Sequence, residues 1–273
     1  MSIMAAIQMV SGPGVAENLA IAADLLAQAA AQGARLAVLP ENFALMGQRE
    51  GDKLAAREAE DGGPIQAFLA EQAARHRLWL VGGTIPLQAA GDDSRVRAAC
   101  LLYDNQGRRA ARYDKVHLFD VRVVGSAEQY AESATIAPGD RYVVAETPLG
   151  RLGLAVCYDL RFPEQFRALV EHGMEILALP AAFTATTGLA HWETLLRARA
   201  IENQCYVMAS AQGGKHANGR ETYGDSLIID PWGEILARLP RGPGVVVAEF
   251  SRERLENVRR QFPALEHRVR CEV

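Results

Sequence analysis

Residues 142–164 read YVVAETPLGRLGLAVCYDLRFPE, and the succession of elements in this stretch sets the architecture. Two apolar segments flank Pro148-Leu149-Gly150, a spacing that predicts a β-hairpin. The second segment is expected to deliver Cys157 at its C-terminal end, and Pro163 is a suitable first residue for a helix running to Gly173. Strand, reactive side chain and helix in this order are the repeating unit of a layered α/β fold. The same alternation extends upstream. Ile3 to Val10 reads as a strand, residues 16 to 32 as an Ala/Leu-rich helix stopped by Gly33, and Arg35 to Leu39 as a second strand. PIQAFLAEQAARHR (64–77) predicts a helix, LWLVGGTIPL (78–87) a strand, and residues 98 to 119 two strands around DNQGR. Downstream, MEILALPAAF (174–183) is strand-like, HWETLLRARAIENQ (191–204) helical and CYVMASAQ (205–212) strand-like. SLIIDP, WGEILARL and VVVAEF then form a hairpin-like third before a closing helix at 252–261. No break in composition separates these parts, so residues 1–273 are expected to form one mixed α/β sandwich domain.

Length agrees with this reading: at about 150 residues per domain, 273 residues give roughly 1.8, which admits one large domain. Apolar residues make up 49% and charged residues 23%, an ordinary globular mixture able to bury a core. The net charge of −4 gives no general attraction to nucleic acid or anionic membrane. No apolar run approaches the ~18 residues of a spanning helix, and MSIMAAIQMVSG lacks the basic start of a signal peptide. The cytoplasm is the expected compartment. Cys100, Cys157, Cys205 and Cys271 form neither a CxxC pair nor a dense disulfide framework, so any cysteine that matters acts singly. The six His show no HxxxH or HExxH spacing, so no zinc site is expected. Only three Lys (53, 115 and 215) stand beside 26 Arg, which makes the placement of each Lys informative.

Three polar residues end apolar segments: Glu41 after RLAVLP, Lys115 in ARYDKVHLF, and Cys157. In layered α/β folds the carboxyl ends of strands converge on one crevice. A thiol with an ordinary pKa of about 8.5 is only slightly ionised at neutral pH and needs a base, which Glu41 can supply. An amide or nitrile carbon attacked by sulfur develops negative charge on its heteroatom, which a Lys ammonium can stabilise. Taken singly, each has a plainer reading: Cys157 as a buried structural thiol, Glu41 as a turn cap, Lys115 as a solvated charge. Cys100 and Cys205 read as core thiols and Cys271 as an incidental terminal one. His117 and His191 read as structural, and Arg197, Arg199 and Glu202 as members of helix ion pairs.

LPENF around Glu41, YDKVHLFDV around Lys115 and GLAVCYDLRFPE around Cys157 resemble, in order and spacing, the Glu-Lys-Cys triad of the nitrilase superfamily of carbon–nitrogen hydrolases. The resemblance continues through residues 180–212 and YGDSLIIDPWGEIL, covering nearly the whole chain. It implies a four-layer α-β-β-α sandwich, no cofactor, and a homodimer that extends the sandwich. It also implies Cys157 as nucleophile, Glu41 as general base and acid, and Lys115 with the Tyr158 N–H as oxyanion donors. A further Glu, placed before a strand, matches Glu132. The runs CYDLRFPE, AFTATTGLAHWE and RARAIENQCYVMASAQGGKHANGRETYGDS resemble the Nit branch, closest to amidases that release 2-oxoglutarate and cysteinylglycine from deaminated glutathione. In that branch the positions matching Arg161, Phe183 and Thr187 line a 2-oxo acid pocket. The polar loop GGKHANGRET offers Lys215, His216 or Arg220 to a distal carboxylate. Two other readings stand beside this one: an ω-amidase or broader aliphatic amidase, or a binding scaffold on the same fold that has lost its chemistry.

Overall fold

The computed structural model describes residues 2–49, 51–124 and 128–269. Cys271 lies outside them. The first half supplies β1 (Ser2–Gln8), α1 (Val15–Ala31), β2 (Ala34–Val38), the single-turn α2 (Asp52–Ala55), α3 (Pro64–His76), β3 (Trp79–Val81), β4 (Ile85–Ala89), β5 (Asp92–Tyr103) and β6 (Arg109–Asp114). A small ribbon of β7 (Asp120–Arg122) and β8 (Gln129–Ala131) follows. The second half contains β9 (Val143–Thr147), β10 (Gly150–Leu154), α4 (Pro163–Glu171), β11 (Ile176–Ala181), α5 (Ala185–Asn203), β12 (Tyr206–Ala211), β13 (Ser226–Ile229), β14 (Ile235–Leu239), β15 (Gly244–Phe250) and α6 (Arg252–Gln261).

The strands assemble into two mixed sheets. One has the order β15-β1-β2-β3-β5-β4 with β6 paired to β5, and the other runs β14-β13-β12-β11-β10-β9. Side chains alternate across a strand, so each sheet must bury two faces. In β1, Met4 and Ala6 join a core that includes Leu152, Leu154, Val207 and Ile229 of the second sheet. Their neighbours Ala5 and Ile7 pack instead with Leu25 and Leu26 of α1 and Leu69 of α3. The second sheet is covered by α4 and α5, whose Phe166, Leu169, Trp192 and Leu196 belong to its core. The layers are therefore helix, sheet, sheet, helix, as the resemblance implied.

Local chemistry explains the element ends. Glu58, itself buried, accepts hydrogen bonds from the Ile65 and Gln66 N–H groups and caps α3 just after Pro64. Thr184 caps α5 by accepting from Thr187 N–H at 3.2 Å, so this helix starts six residues earlier than its apolar spacing suggested. Ser251 does the same for α6 through Arg254 N–H.

The segment 78–87, expected as one strand, divides into β3 and β4 around Gly82-Gly83. Gly83 has φ +54°, and a Cβ there would lie 2.0 Å from the Pro40 carbonyl oxygen. The loop carrying Glu41 rests directly on this glycine. Gly83→Ala combines a left-handed side-chain penalty with displacement of that loop and is expected to cost about 2 kcal/mol or more. Denaturant unfolding measures it; an alanine variant of wild-type stability contradicts this packing.

Candidate active site

Glu41, Lys115 and Cys157 line one cavity of about 540 Å³. Each is delivered by a different strand. Glu41 lies three residues beyond β2, where Thr84 Oγ1 accepts the Asn42 N–H at 2.9 Å and Gln212 Nε2 donates to the Glu41 carbonyl at 3.1 Å. Lys115 follows β6 directly. Cys157 was expected on the end of a strand, but β10 stops at Leu154 and Cys157 instead opens a 3-10 turn, Cys157–Arg161.

That turn holds Cys157 at φ +49°, a left-handed conformation costing a non-glycine residue about 1–2 kcal/mol. The surroundings enforce it. Asp159, fully buried, accepts from Val156 N–H at 2.7 Å, Tyr113 O–H at 2.7 Å and His117 N–H at 3.1 Å, and its Oδ1 lies 2.7 Å from His117 Nδ1. One carboxylate thus ties the Cys157 turn to the segment carrying Lys115. Arg199 of α5 donates twice to the Leu160 carbonyl and pairs with Glu202 at 2.7 Å. The ion pair expected for this helix therefore also anchors the turn. His117 stacks on Phe162 at 3.8 Å and stays structural.

The electrostatics centre on Lys115, only 1% exposed. Its Nζ donates to Glu41 Oε1 at 2.8 Å and to both oxygens of Glu132, at 2.9 and 2.8 Å. Burial alone would lower its pKa, but the charges of Glu132 and Glu41 outweigh burial and raise it well above the ordinary range. Burial likewise pushes the Glu41 carboxyl up, and the Lys115 ammonium with hydrogen bonds from Lys115 and Cys157 brings it below its ordinary value. Cys157 lies close enough to Glu41 and Lys115 for both charges to act on its thiol. Burial, and then the Glu41 charge, raise the Cys157 pKa against the opposing Lys115 charge. At neutral pH these shifts leave a protonated thiol beside an ionised carboxylate.

Glu132 was expected before a strand. It lies instead just after β8, at the start of a 3-10 turn, where it also accepts the Phe119 N–H at 2.7 Å. Tyr158 follows Cys157 on the turn, with its ring edge-on to Phe119 and Phe162. Arg161, Phe183 and Thr187 line the same cavity. The Arg161 guanidinium sits 5.1 Å from the Phe183 ring centroid, and its Nη1 is 3.2 Å from His191 Nδ1. Of the three residues offered by the loop 213–222, only Arg220 lines the cavity. It donates to the Ala182 carbonyl and lies 5.1 Å from the Tyr130 ring centroid. Lys215 is exposed, and His216 is buried between the Ser11 carbonyl and Thr222 Oγ1 at 2.8 Å each. Sequence reasoning assigned no role to Lys53, on α2, which also lines the cavity. Its only signal was the scarcity of lysine.

Cys100 and Cys205 are buried thiols of the core, the latter pushed up to about 12 by burial. Among the described residues no group of three or more His, Cys, Asp or Glu side chains could hold a metal ion. No helix among them is long and apolar enough to cross a membrane.

The carbon–nitrogen hydrolase family profile matches residues 3–260. A deaminated glutathione amidase from Synechocystis sp. is 46% identical over 267 residues, 97% of each chain. Among solved structures, the NitFhit protein of C. elegans superposes with a TM-score of 0.90 at 35% identity, covering 98% of this chain and 65% of that one. Saccharomyces cerevisiae Nit3, described as a member of branch 10 of the nitrilase superfamily, gives 0.86 at 29% identity over 96% and 94%. With the family match spanning nearly the whole chain and the sandwich shared with these structures, the chain belongs to the carbon–nitrogen hydrolases of the nitrilase superfamily and is a hydrolase of amide carbon–nitrogen bonds.

Proposed function

We propose that residues 1–273 act as one cysteine-dependent amidase domain that hydrolyses the γ-amide of 2-oxo acid amides, with deaminated glutathione preferred. The observation that carries this reading is the buried Lys115 ammonium bridging Glu41 and Glu132 beside the Cys157 thiol, in a cavity that also presents Arg161. The similarity to curated deaminated glutathione amidases supports the choice of substrate.

The reaction runs in two halves. Glu41 takes the thiol proton as the Cys157 sulfur attacks the γ-carbonyl carbon, and the carbonyl oxygen becomes an oxyanion. Lys115 and the Tyr158 N–H stabilise it. All three ammonium protons of Lys115 are engaged at rest, so one bond to Glu132 is exchanged for the oxyanion as charge develops. Collapse of the intermediate breaks the carbon–nitrogen bond, and Glu41 returns its proton to the departing amine, leaving a thioester. Water then gives a proton to Glu41 and its oxygen to the acyl carbon. The second collapse releases the carboxylic acid, and the sulfur recovers its proton from Glu41. Arg161 suits the 2-oxo acid carboxylate, because a guanidinium binds a planar anion through two parallel hydrogen bonds. Phe183 and Thr187 wall the same subsite.

An apolar groove beside the cavity, lined by Phe119, Val121, Val123, Val124 and Ala190, supports a homodimer, since patches of this kind mark association surfaces. Val124 and Leu189 are 92% and 78% exposed in the single chain. The three buried free thiols suit a reducing, cytoplasmic compartment.

A substrate panel tests the function, with ammonia and cysteinylglycine detected separately. We expect kcat/KM to favour deaminated glutathione over 2-oxoglutaramate, and Lys115→Ala to lower turnover about 10²- to 10³-fold. A tenfold preference for 2-oxoglutaramate makes the enzyme an ω-amidase instead. Light scattering is expected to read two chains per particle, and a monomer at working concentration contradicts the dimer.

A further inference from the structure

Beyond the catalytic trio, the cavity carries a cation that the chemistry above does not use. Lys53 projects from α2, and none of the ion pairs or hydrogen bonds among the described residues engages it. Its neighbour Asp52 is turned to Arg49 and to the Gln48 and Arg49 N–H groups instead. Lys115, by contrast, has every proton committed. An unpaired ammonium facing a substrate cavity is a binding determinant in search of an anion.

Its position defines which anion. The catalytic cavity adjoins two others. On one side it shares Arg161 and Thr187 with the groove beneath α5 and the β7–β8 ribbon. On the other it shares Asn42 and Lys53 with a hollow lined by Thr84 and by Pro86 and Arg97 of the first sheet. Arg161 and Lys53 therefore mark different ends, with Cys157, Glu41 and Lys115 among the lining between them. An acyl group held by Arg161 places its scissile amide over Cys157, and the leaving group then extends towards Lys53.

We propose that Lys53 selects the leaving group by holding its terminal carboxylate. This rests on the amidase reading above and deepens it, naming what distinguishes a peptide-like leaving group from ammonia. In deaminated glutathione the glycine carboxylate lies two residues beyond the scissile bond, about 7 Å in extended form. A flexible four-carbon stem carrying a point charge can follow a carboxylate at the end of such a mobile tail. Arg220 contributes a wall rather than the second charge, because it is anchored to the Ala182 carbonyl and the Tyr130 face.

Lys53 also lies close enough to Glu41 for its charge to help keep that carboxylate ionised. That role would act on every substrate alike, so the test must separate the two. Wild type and Lys53→Met are assayed on deaminated glutathione, on its C-terminal glycinamide analogue and on 2-oxoglutaramate, with kcat and KM resolved. For wild type we expect the glycinamide analogue to lose about 10- to 100-fold in kcat/KM, chiefly through KM. Lys53→Met should suffer the same loss on deaminated glutathione, more than on 2-oxoglutaramate, and should no longer distinguish acid from amide. Lys53→Arg should restore part of the discrimination. A Lys53→Met enzyme that keeps the discrimination, or loses equally on all three substrates, overturns the assignment. A wild type indifferent to amidation overturns it without touching the substrate reading, and decides even if the variant fails to fold. A wild type that prefers 2-oxoglutaramate overturns the substrate reading and the Lys53 assignment together.

Discussion

An ammonium group stripped of water costs several kcal/mol unless its charge is matched at close range, and Lys115 is stripped of nearly all of it. Two carboxylates meet the demand, Glu41 from the end of β2 and Glu132 from the turn after β8. The three groups carry one positive and two negative charges, and the proton on the Cys157 thiol completes the set. In the proposed mechanism this arrangement sets the direction of proton flow. The cation keeps Glu41 ionised despite burial, and the ionised Glu41 keeps the thiol protonated. Replacing Lys115 leaves two largely buried carboxylates facing each other without a cation, so the cluster is cooperative in stability.

The fold exists around that cluster in a concrete sense. Glu41 follows a strand of the first sheet and Cys157 a strand of the second, and they meet because the two sheets bury their inner faces on each other. Fine placement falls to residues outside that cluster. Gly83 lets the Glu41 loop settle on the β3–β4 junction. Asp159 holds the Cys157 turn and the chain beyond Lys115 in one grip, while Arg199 secures the turn from α5. A left-handed cysteine is tolerated because these bonds leave the turn no other shape.

Much of this was legible in the residues. The closing helix runs over 252–261, as its spacing indicated, because Ser251 and the apolar positions Leu255 and Val258 agree on one answer. The convergence of Glu41, Lys115 and Cys157 on one cavity was suggested by their positions at the ends of apolar segments and implied by the family resemblance. What escaped was set by tertiary contact. Ala-Thr-Thr-Gly at the start of α5 has weak helix propensity, and only the Thr184 cap and packing make it helical. The β7–β8 ribbon that positions Glu132 is too short and polar to carry a strand pattern. Lys53 stands in a polar segment, QREGDKLAAREAE, that reads like any exposed turn, and nothing local says that it borders the cavity. Asp159 sits in plain view beside the cysteine, but its importance lies in partners 42 and 46 residues away.

The central claim is that the Cys157 sulfur, deprotonated by Glu41, carries the acyl group. Rapid acid quench of the wild-type enzyme turning over deaminated glutathione, followed by peptide mass spectrometry, addresses it directly. The account predicts a 2-oxoglutaryl thioester on the peptide containing Cys157, released by hydroxylamine and absent in Cys157→Ala, which is also inactive. Turnover that persists in Cys157→Ala, or an acyl group carried on any other side chain, contradicts it.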